Sequence, residues 1–192
     1  MSRSGCGWCG APVIFAYADP PYLGCGKLYK KHHPDAMVWD DPETHRQLID
    51  RLVSEYPDGW AYSLTSTTLH TLLPYCPEDV RVMAWVKPFA VFRPNVNPGY
   101  CWEPVIVRGG RKRTRAQDTV RDFLSCPIAL KKGLVGAKPD GFWLWLFAVL
   151  GCQPEDQFVD LFPGTGGGDR MWNNYVRQLS LYSHPNSNGA RQ

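Results

Sequence analysis

The stretch "FAYADPPYLG", Phe15–Gly24, joins a small, apolar run to an acid, two prolines and an aromatic ring. Val13–Ala18 reads as a short buried strand. Pro20 and Pro21 end it, because neither has an N–H to give to a sheet. The following residues, Leu23–Asp41, are rich in Gly, Lys, His, Pro and Asp and read as a long loop. Long loops that follow strand ends often carry function. A second junction of this kind lies late in the chain. Gln157–Phe162 reads as a strand, "PGTGGGDRMW" follows it, and a helix is expected over about Asp169–Leu179.

The segments between these junctions alternate in type. Asp41-Pro42-Glu43 opens a helix, with an acid at the cap, proline at the first position and glutamate in the first turn. Strands are expected at Trp60–Leu64, Val80–Val86 and about Trp102–Val107, with a short helix over Thr67–Leu73. Pro139–Leu150 reads as an apolar helix whose Phe142, Trp143, Trp145 and Phe147 belong to the core. Such alternation predicts an α/β sandwich around a mostly parallel sheet. Ligands of such sheets sit at the carboxyl ends of the strands, where both conspicuous loops lie.

With 192 residues, one domain is expected over residues 1–182, followed by a polar tail over 183–192. The net charge of +3 excludes a general polycation, so any nucleic-acid contact must be a local patch. There is no apolar run long enough to span a bilayer and no signal-like start, which makes the cytoplasm the expected location. Seven cysteines are scattered along the chain. Cys6-Gly-Trp-Cys9 has the spacing of half a zinc knuckle but no second pair, so these read as thiols and no metal is expected.

Each loop has its own chemistry. Glycines between a strand and a helix let backbone approach a ligand closely and leave the helix N-terminus facing it. Asp160 at the strand end suits a cationic or hydroxyl-bearing ligand. No Lys-Ser/Thr pair follows, so a nucleoside-triphosphate loop is a poor match. In the first loop the Asp19 carboxylate and the Pro20 carbonyl are two acceptors with no donor between them. Tyr22 adds a stacking surface. Two acceptors and a ring suit the exocyclic amine of a nucleobase.

These residues resemble the catalytic motif of amino methyltransferases, which methylate adenine N6 or cytosine N4 with S-adenosylmethionine. "ADPPY", "VMAWVKP", "CWEPVIVRGG", "KPDGFW" and "VDLFPGTGG" follow one another in one order. Catalytic motif first and glycine loop last is similar to the permuted adenine-N6 methyltransferases, a family with messenger-RNA adenosine writers and short bacterial and viral DNA methylases. The resemblance covers about Val13–Tyr175 and implies a Rossmann-like methyltransferase sandwich. It implies adenine N6 in DNA as the target. Cytosine N4, RNA adenine and a non-catalytic nucleic-acid-binding subunit are the alternatives. Asp19, Pro20, Pro21 and Tyr22 would be catalytic. Ala18, Asp19, Lys138, Asp160, Phe162, Gly164, Thr165, Gly166, Asn173 and Asn174 would hold the cofactor, with Lys138 meeting its carboxylate. Only about a dozen residues precede Val13, so a strand that often carries a ribose contact in the family is missing. The sheet should be short, and DNA or another subunit, of the same or a different chain, would complete the pocket.

"RGGRKRTRAQ", Arg108–Gln117, is a basic run. Beside a base-modifying site it would clamp phosphates through Arg108, Arg111, Lys112, Arg113 and Arg115. Lys30, Lys31, His32 and Lys87 are further candidates for contact with DNA or RNA. Target contacts would come from residues of about 90–135. Methylating an amine of a paired base requires extruding it or using single strands.

Overall fold

The computed structural model describes residues 12–30, 34–90, 94–128 and 137–183. The strands are β1 (Ile14–Ala18), β2 (Gly59–Ser63), β3 (Arg81–Val86), β4 (Trp102–Gly109), β5 (Phe123–Ser125) and β6 (Gln157–Asp160). The helices are α1 (Gly26–Tyr29), α2 (Pro42–Glu55), α3 (Leu69–Leu72), α4 (Asp140–Leu150) and α5 (Gly167–Ser183). Among the described residues the strands form one six-stranded sheet in the order β5-β3-β4-β2-β1-β6. β1 is parallel to β2 and β6, and β3 is parallel to β5. β4 runs antiparallel to both of its neighbours.

Three details depart from the sequence expectations. The long loop after Tyr22 contains α1 and a 3-10 segment, Pro34–Asp40. β5 was not anticipated, because three residues are too few to show a period of two. α5 begins at Gly167, inside the glycine run, and continues to Ser183. The expected α2 start is met: the Glu43 N–H donates to Asp41 Oδ1 at 3.0 Å, with Pro42 in the first turn.

Helices cover both faces of the sheet. On one face α4 and α5 pack on Phe15, Tyr17, Val105, Val107 and Phe158. α4 is apolar nearly all round because it is buried nearly all round. Phe142, Leu146 and Phe147 are fully buried. Burial of each such side chain contributes about 1.5–3 kcal/mol. Phe147 packs edge-on against Phe158 and Trp172, with ring centroids at 4.9 and 5.3 Å. Gly151 closes α4 in the left-handed region, φ +70°. On the other face α2 packs through Leu48, Ile49 and Leu52 on Ala16, Trp60, Tyr62 and Ile106.

The direction of β4 decides what reaches each end of the sheet. Its first residues pair with the carboxyl end of β3, Trp85 opposite Glu103 and Val86 opposite Trp102. Its last residue, Gly109, pairs with the first of β2, Gly59. The antiparallel run therefore carries Glu103 to the carboxyl ends of β1 and β2 and carries Arg108 to their amino ends. Six residues at about 3.3 Å each separate Glu103 from Gly109, roughly 20 Å. Gly109 and Gly110 end the strand for a steric reason. A Cβ on Gly109 would lie 2.7 Å from the Asp58 carbonyl oxygen, and Gly110 donates its N–H to that oxygen at 2.8 Å. Arg111 continues at this end and pairs with Asp156, whose carboxylate also accepts the N–H groups of Val13 and Gln153 at 3.1 and 2.7 Å.

Candidate active site

β1 and β6 are neighbours, Tyr17 opposite Asp160, and the Leu161 N–H donates to the Tyr17 carbonyl at 2.9 Å. Asp19-Pro20-Pro21-Tyr22 and the glycine loop therefore leave the sheet side by side.

Asp19 stands one residue beyond β1. Its Oδ2 accepts from Lys138 Nζ at 2.7 Å. Its Oδ1 is buried with no hydrogen-bond partner. Lys138 comes from the residue before Pro139, the cap of α4, and its side chain is 4% exposed. The ammonium also lies 3.2 Å from the Tyr22 hydroxyl and 3.8 Å from Glu103 Oε2. It sits within 6 Å of the ring centroids of Tyr22, Trp85 and Phe142. The Tyr22 hydroxyl donates to Glu103 Oε2 at 2.8 Å, and Lys87 pairs with Glu103 Oε1. One network thus runs Lys87, Glu103, Tyr22, Lys138, Asp19.

The charges shift one another. Burial pushes the Asp19 carboxyl up, and the Lys138 ammonium only partly offsets this. Burial also opposes ionisation of Glu103, but Lys138 and Lys87 outweigh it and hold that carboxyl below its ordinary value. For Lys138 burial works against the charge, while Asp19 and Glu103 raise its affinity for a proton above the usual lysine range. At neutral pH the cluster holds two cations close to two acids.

The glycine loop forms the other wall. Burial pushes the Asp160 carboxyl up to about 7, although the Phe162 N–H donates to its Oδ1 at 3.1 Å. Gly164 and Gly166 both have positive φ, +50° and +72°. Gly168, in the first turn of α5, has no room for a side chain: a Cβ would lie 2.5 Å from Asp160 Oδ2 and 2.9 Å from the Trp143 ring. The Trp143 Nε1–H is buried and unpaired beside this turn, where a Cβ added to Gly167 would lie 3.6 Å from it. An acid, an unpaired donor and a helix start without side chains make a cradle that fits a zwitterionic, cationic cofactor.

The loop after Tyr22 is tied to this wall. Trp39 packs edge-on against Phe162 at 5.2 Å. His45 Nε2–H donates to the Trp39 carbonyl at 2.7 Å, and its Nδ1 faces the Tyr62 hydroxyl. Burial lowers the affinity of His45 for a proton, so the neutral ring is favoured.

The structure gathers Asp19, Pro20, Pro21, Tyr22, Lys138, Asp160 and Phe162 at one end of the sheet, with Ala18 buried in the last position of β1. Gly164, Thr165 and Gly166 form the connecting turn. Asn173 and Asn174 are exposed on α5, roughly 9–11 Å along the helix from Gly167. Lys138, expected on the cofactor's carboxylate, lies on Asp19. Lys30 is exposed just after α1, and Lys87 is paired with Glu103. Lys31, His32, Cys6 and Cys9 lie outside the described residues. Among the described residues no group of His, Cys, Asp or Glu could hold a metal ion, and no helix is long and apolar enough to cross a membrane.

The basic run is not beside the site. Arg108 donates to Asp79 at 2.8 Å, Arg111 pairs with Asp156, and Arg113 donates to carbonyls of Asp118 and of Ala148 in the last turn of α4. These three residues brace the amino-terminal end of the sheet. Lys112 and Arg115 are exposed in the same loop. The run lies away from the site because it follows an antiparallel strand, whose direction the local sequence does not encode. Glu103 is the site residue that sequence reasoning missed. Its one signal was an acid between Trp102 and Pro104 at the start of an apolar strand.

The fold is a Rossmann-like α/β sandwich, and solved structures share it. The crystal structure of the M1.HpyAVI–SAM complex superposes with a TM-score of 0.55 at 15% identity, over 86% of this chain and 79% of that one. The structure of M1.HpyAVI alone gives 0.52 at 16% identity, over 86% and 78%. No protein-family model and no curated protein matches the chain in sequence.

Proposed function

We propose that the chain is an S-adenosylmethionine-dependent amino methyltransferase that acts on DNA at adenine N6. The observation that carries this reading is Asp19 Oδ1, a buried carboxylate oxygen without a donor, next to two prolines that have no N–H to give it. An unpaired buried acceptor is costly unless a ligand completes it. An exocyclic amine brings two donors, one for Asp19 Oδ1 and one for the Pro20 carbonyl. Tyr22 then stacks on the extruded base. The fold shared with M1.HpyAVI, solved as a complex with SAM, supports the choice of cofactor.

The residues would act as follows. Asp160, the turn from Gly164 to Gly166 and the two glycines that open α5 would hold the cofactor, which when bound supplies an electrophilic methyl group. Asp19 and Pro20 draw the amine hydrogens out of the ring plane, and the nitrogen lone pair is released from the base. As the new carbon–nitrogen bond forms and the methyl–sulfur bond breaks, its electron pair staying on a neutral thioether, positive charge would grow on nitrogen and the Asp19 carboxylate would stabilise it. Asp19 then accepts the surplus proton. The rest of the rate comes from orientation and from exclusion of water.

Cytosine N4 presents the same two donors, so the test must separate the bases. The protein is expressed in a host without amino methylation, the DNA is digested, and N6-methyldeoxyadenosine and N4-methyldeoxycytidine are quantified by mass spectrometry. N6-methyldeoxyadenosine that disappears with Asp19→Ala is the expected result. N4-methyldeoxycytidine alone would move the target to cytosine, and neither product would remove the assignment to DNA.

A further inference from the structure

We infer that Glu103, braced by Lys87, is a positioning residue that sets the plane of the Tyr22 ring for the target base. The inference rests on the methyltransferase reading of the site.

The geometry is specific. Glu103 is delivered from β4, opposite Trp85 in register, and its side chain is 17% exposed. Its two oxygens have separate tasks. Oε2 accepts the Tyr22 hydroxyl at 2.8 Å, and Oε1 takes Lys87. Lys87 in turn lies over the Trp85 ring, 5.0 Å from its centroid. The carboxylate is thus held from behind by a cation that rests on the core. In front it holds the hydroxyl of the one ring that follows the acceptor pair. A tyrosine turns about two side-chain bonds, and a base entering the site would have to order it. Anchoring the hydroxyl removes that cost before the base arrives.

Compensation of buried cations is the other role Glu103 could fill. Lys138 already has Asp19 at 2.7 Å, with Glu103 at a longer 3.8 Å. Glu103 spends its short contacts on Tyr22 and Lys87. A purely compensating acid would affect folding and leave target recognition alone.

The test uses Glu103→Gln, Glu103→Ala, Tyr22→Phe and the Glu103→Gln/Tyr22→Phe pair. Glutamine keeps an acceptor for the hydroxyl, alanine removes it, and phenylalanine keeps the ring but removes the donor. The probe is an oligonucleotide with 2-aminopurine at the target position. Its emission is quenched when the base stacks, so it is read without cofactor. KM and kcat are then measured on the adenine oligonucleotide. Loss of a hydrogen bond to a charged acceptor corresponds to about ten- to a hundredfold. Glu103→Ala is therefore expected to raise the KM for the oligonucleotide by at least about tenfold and to weaken the quench. Glu103→Gln should recover part of both, and in the Tyr22→Phe background it should add nothing. Quench and KM unchanged in Glu103→Gln and in Tyr22→Phe would overturn the inference, whatever happens to melting temperature. If Glu103→Ala does not fold, those two variants decide. An unmodified protein that methylates neither base fails at the level of the proposed function, which a changed KM in an active enzyme does not touch.

Discussion

Cofactor binding should depend on pH through Asp160. In the ligand-free protein burial holds this carboxyl at about 7, well above the ordinary aspartate value of about 3.9. A cation beside it favours the ionised form, so binding must expel the proton from any molecule that still carries it. A carboxyl raised in the free state makes affinity full above pH 7 and loses it as pH falls. With a free value of about 7 and a carboxylate that stays ionised when bound, the affinity falls by a factor of about 1 + 10^(7−pH), which is about tenfold at pH 6 and a hundredfold at pH 5. Each tenfold step is about 1.4 kcal/mol. The assay is calorimetric titration with S-adenosylmethionine between pH 5.5 and 7, below the range in which the cofactor's own amine titrates. Comparing buffers of different ionisation enthalpy gives the protons released, expected at about 0.9 per site at pH 6. Asp160→Asn should flatten the profile at a uniformly lower affinity. A flat profile in the unmodified protein, or no proton release at pH 6, would refute the assignment of Asp160 to the cofactor.

Other residues yield separate expectations. Asp156→Ala removes the partner of Arg111 and of two backbone N–H groups, and breaking such a buried pair costs about 3–5 kcal/mol. Thermal melting should show it as a drop of roughly 6–20 °C for a chain of this size, without any change in cofactor affinity per folded molecule. Gly168→Ala would force a Cβ against Asp160 Oδ2; a loss of about 1–3 kcal/mol is expected, together with weaker cofactor binding in the same calorimeter. His45 is favoured in its neutral form when folded, so the unfolded chain binds the extra proton. The His45 contribution to stability should therefore fall as pH drops below about 6.5, and urea melts at pH 5 and 8 should show the unmodified protein losing more stability on acidification than His45→Phe, a difference in which the contributions of other groups cancel.

Local chemistry was legible in the chain, and long-range pairing was not. Asp41-Pro42-Glu43 declares a helix start through contacts of two residues' span. Pro20 and Pro21 end a strand by what they lack. The apolar run Phe142–Leu150 can only be a buried helix at that length. Lys138 and Asp19, by contrast, meet across 119 residues, and no periodicity reports such a contact. Glu103 and the basic run were misplaced for one reason. Both ride on β4, and strand direction follows from which neighbours it pairs with. β4 pairs antiparallel with β3 and with β2, and that single reversal sends Glu103 to the site and Arg108 away from it.

The most direct measurement is transfer itself. Purified protein is incubated with trideuteromethyl-labelled S-adenosylmethionine and two single-stranded oligonucleotides, one with a single adenine and no cytosine, the other with a single cytosine and no adenine. The account predicts the label on the exocyclic nitrogen of adenine, absent with Asp19→Ala although that variant still binds cofactor. Cofactor bound by the unmodified protein with no label on either base, or label transfer that survives Asp19→Ala, would contradict it.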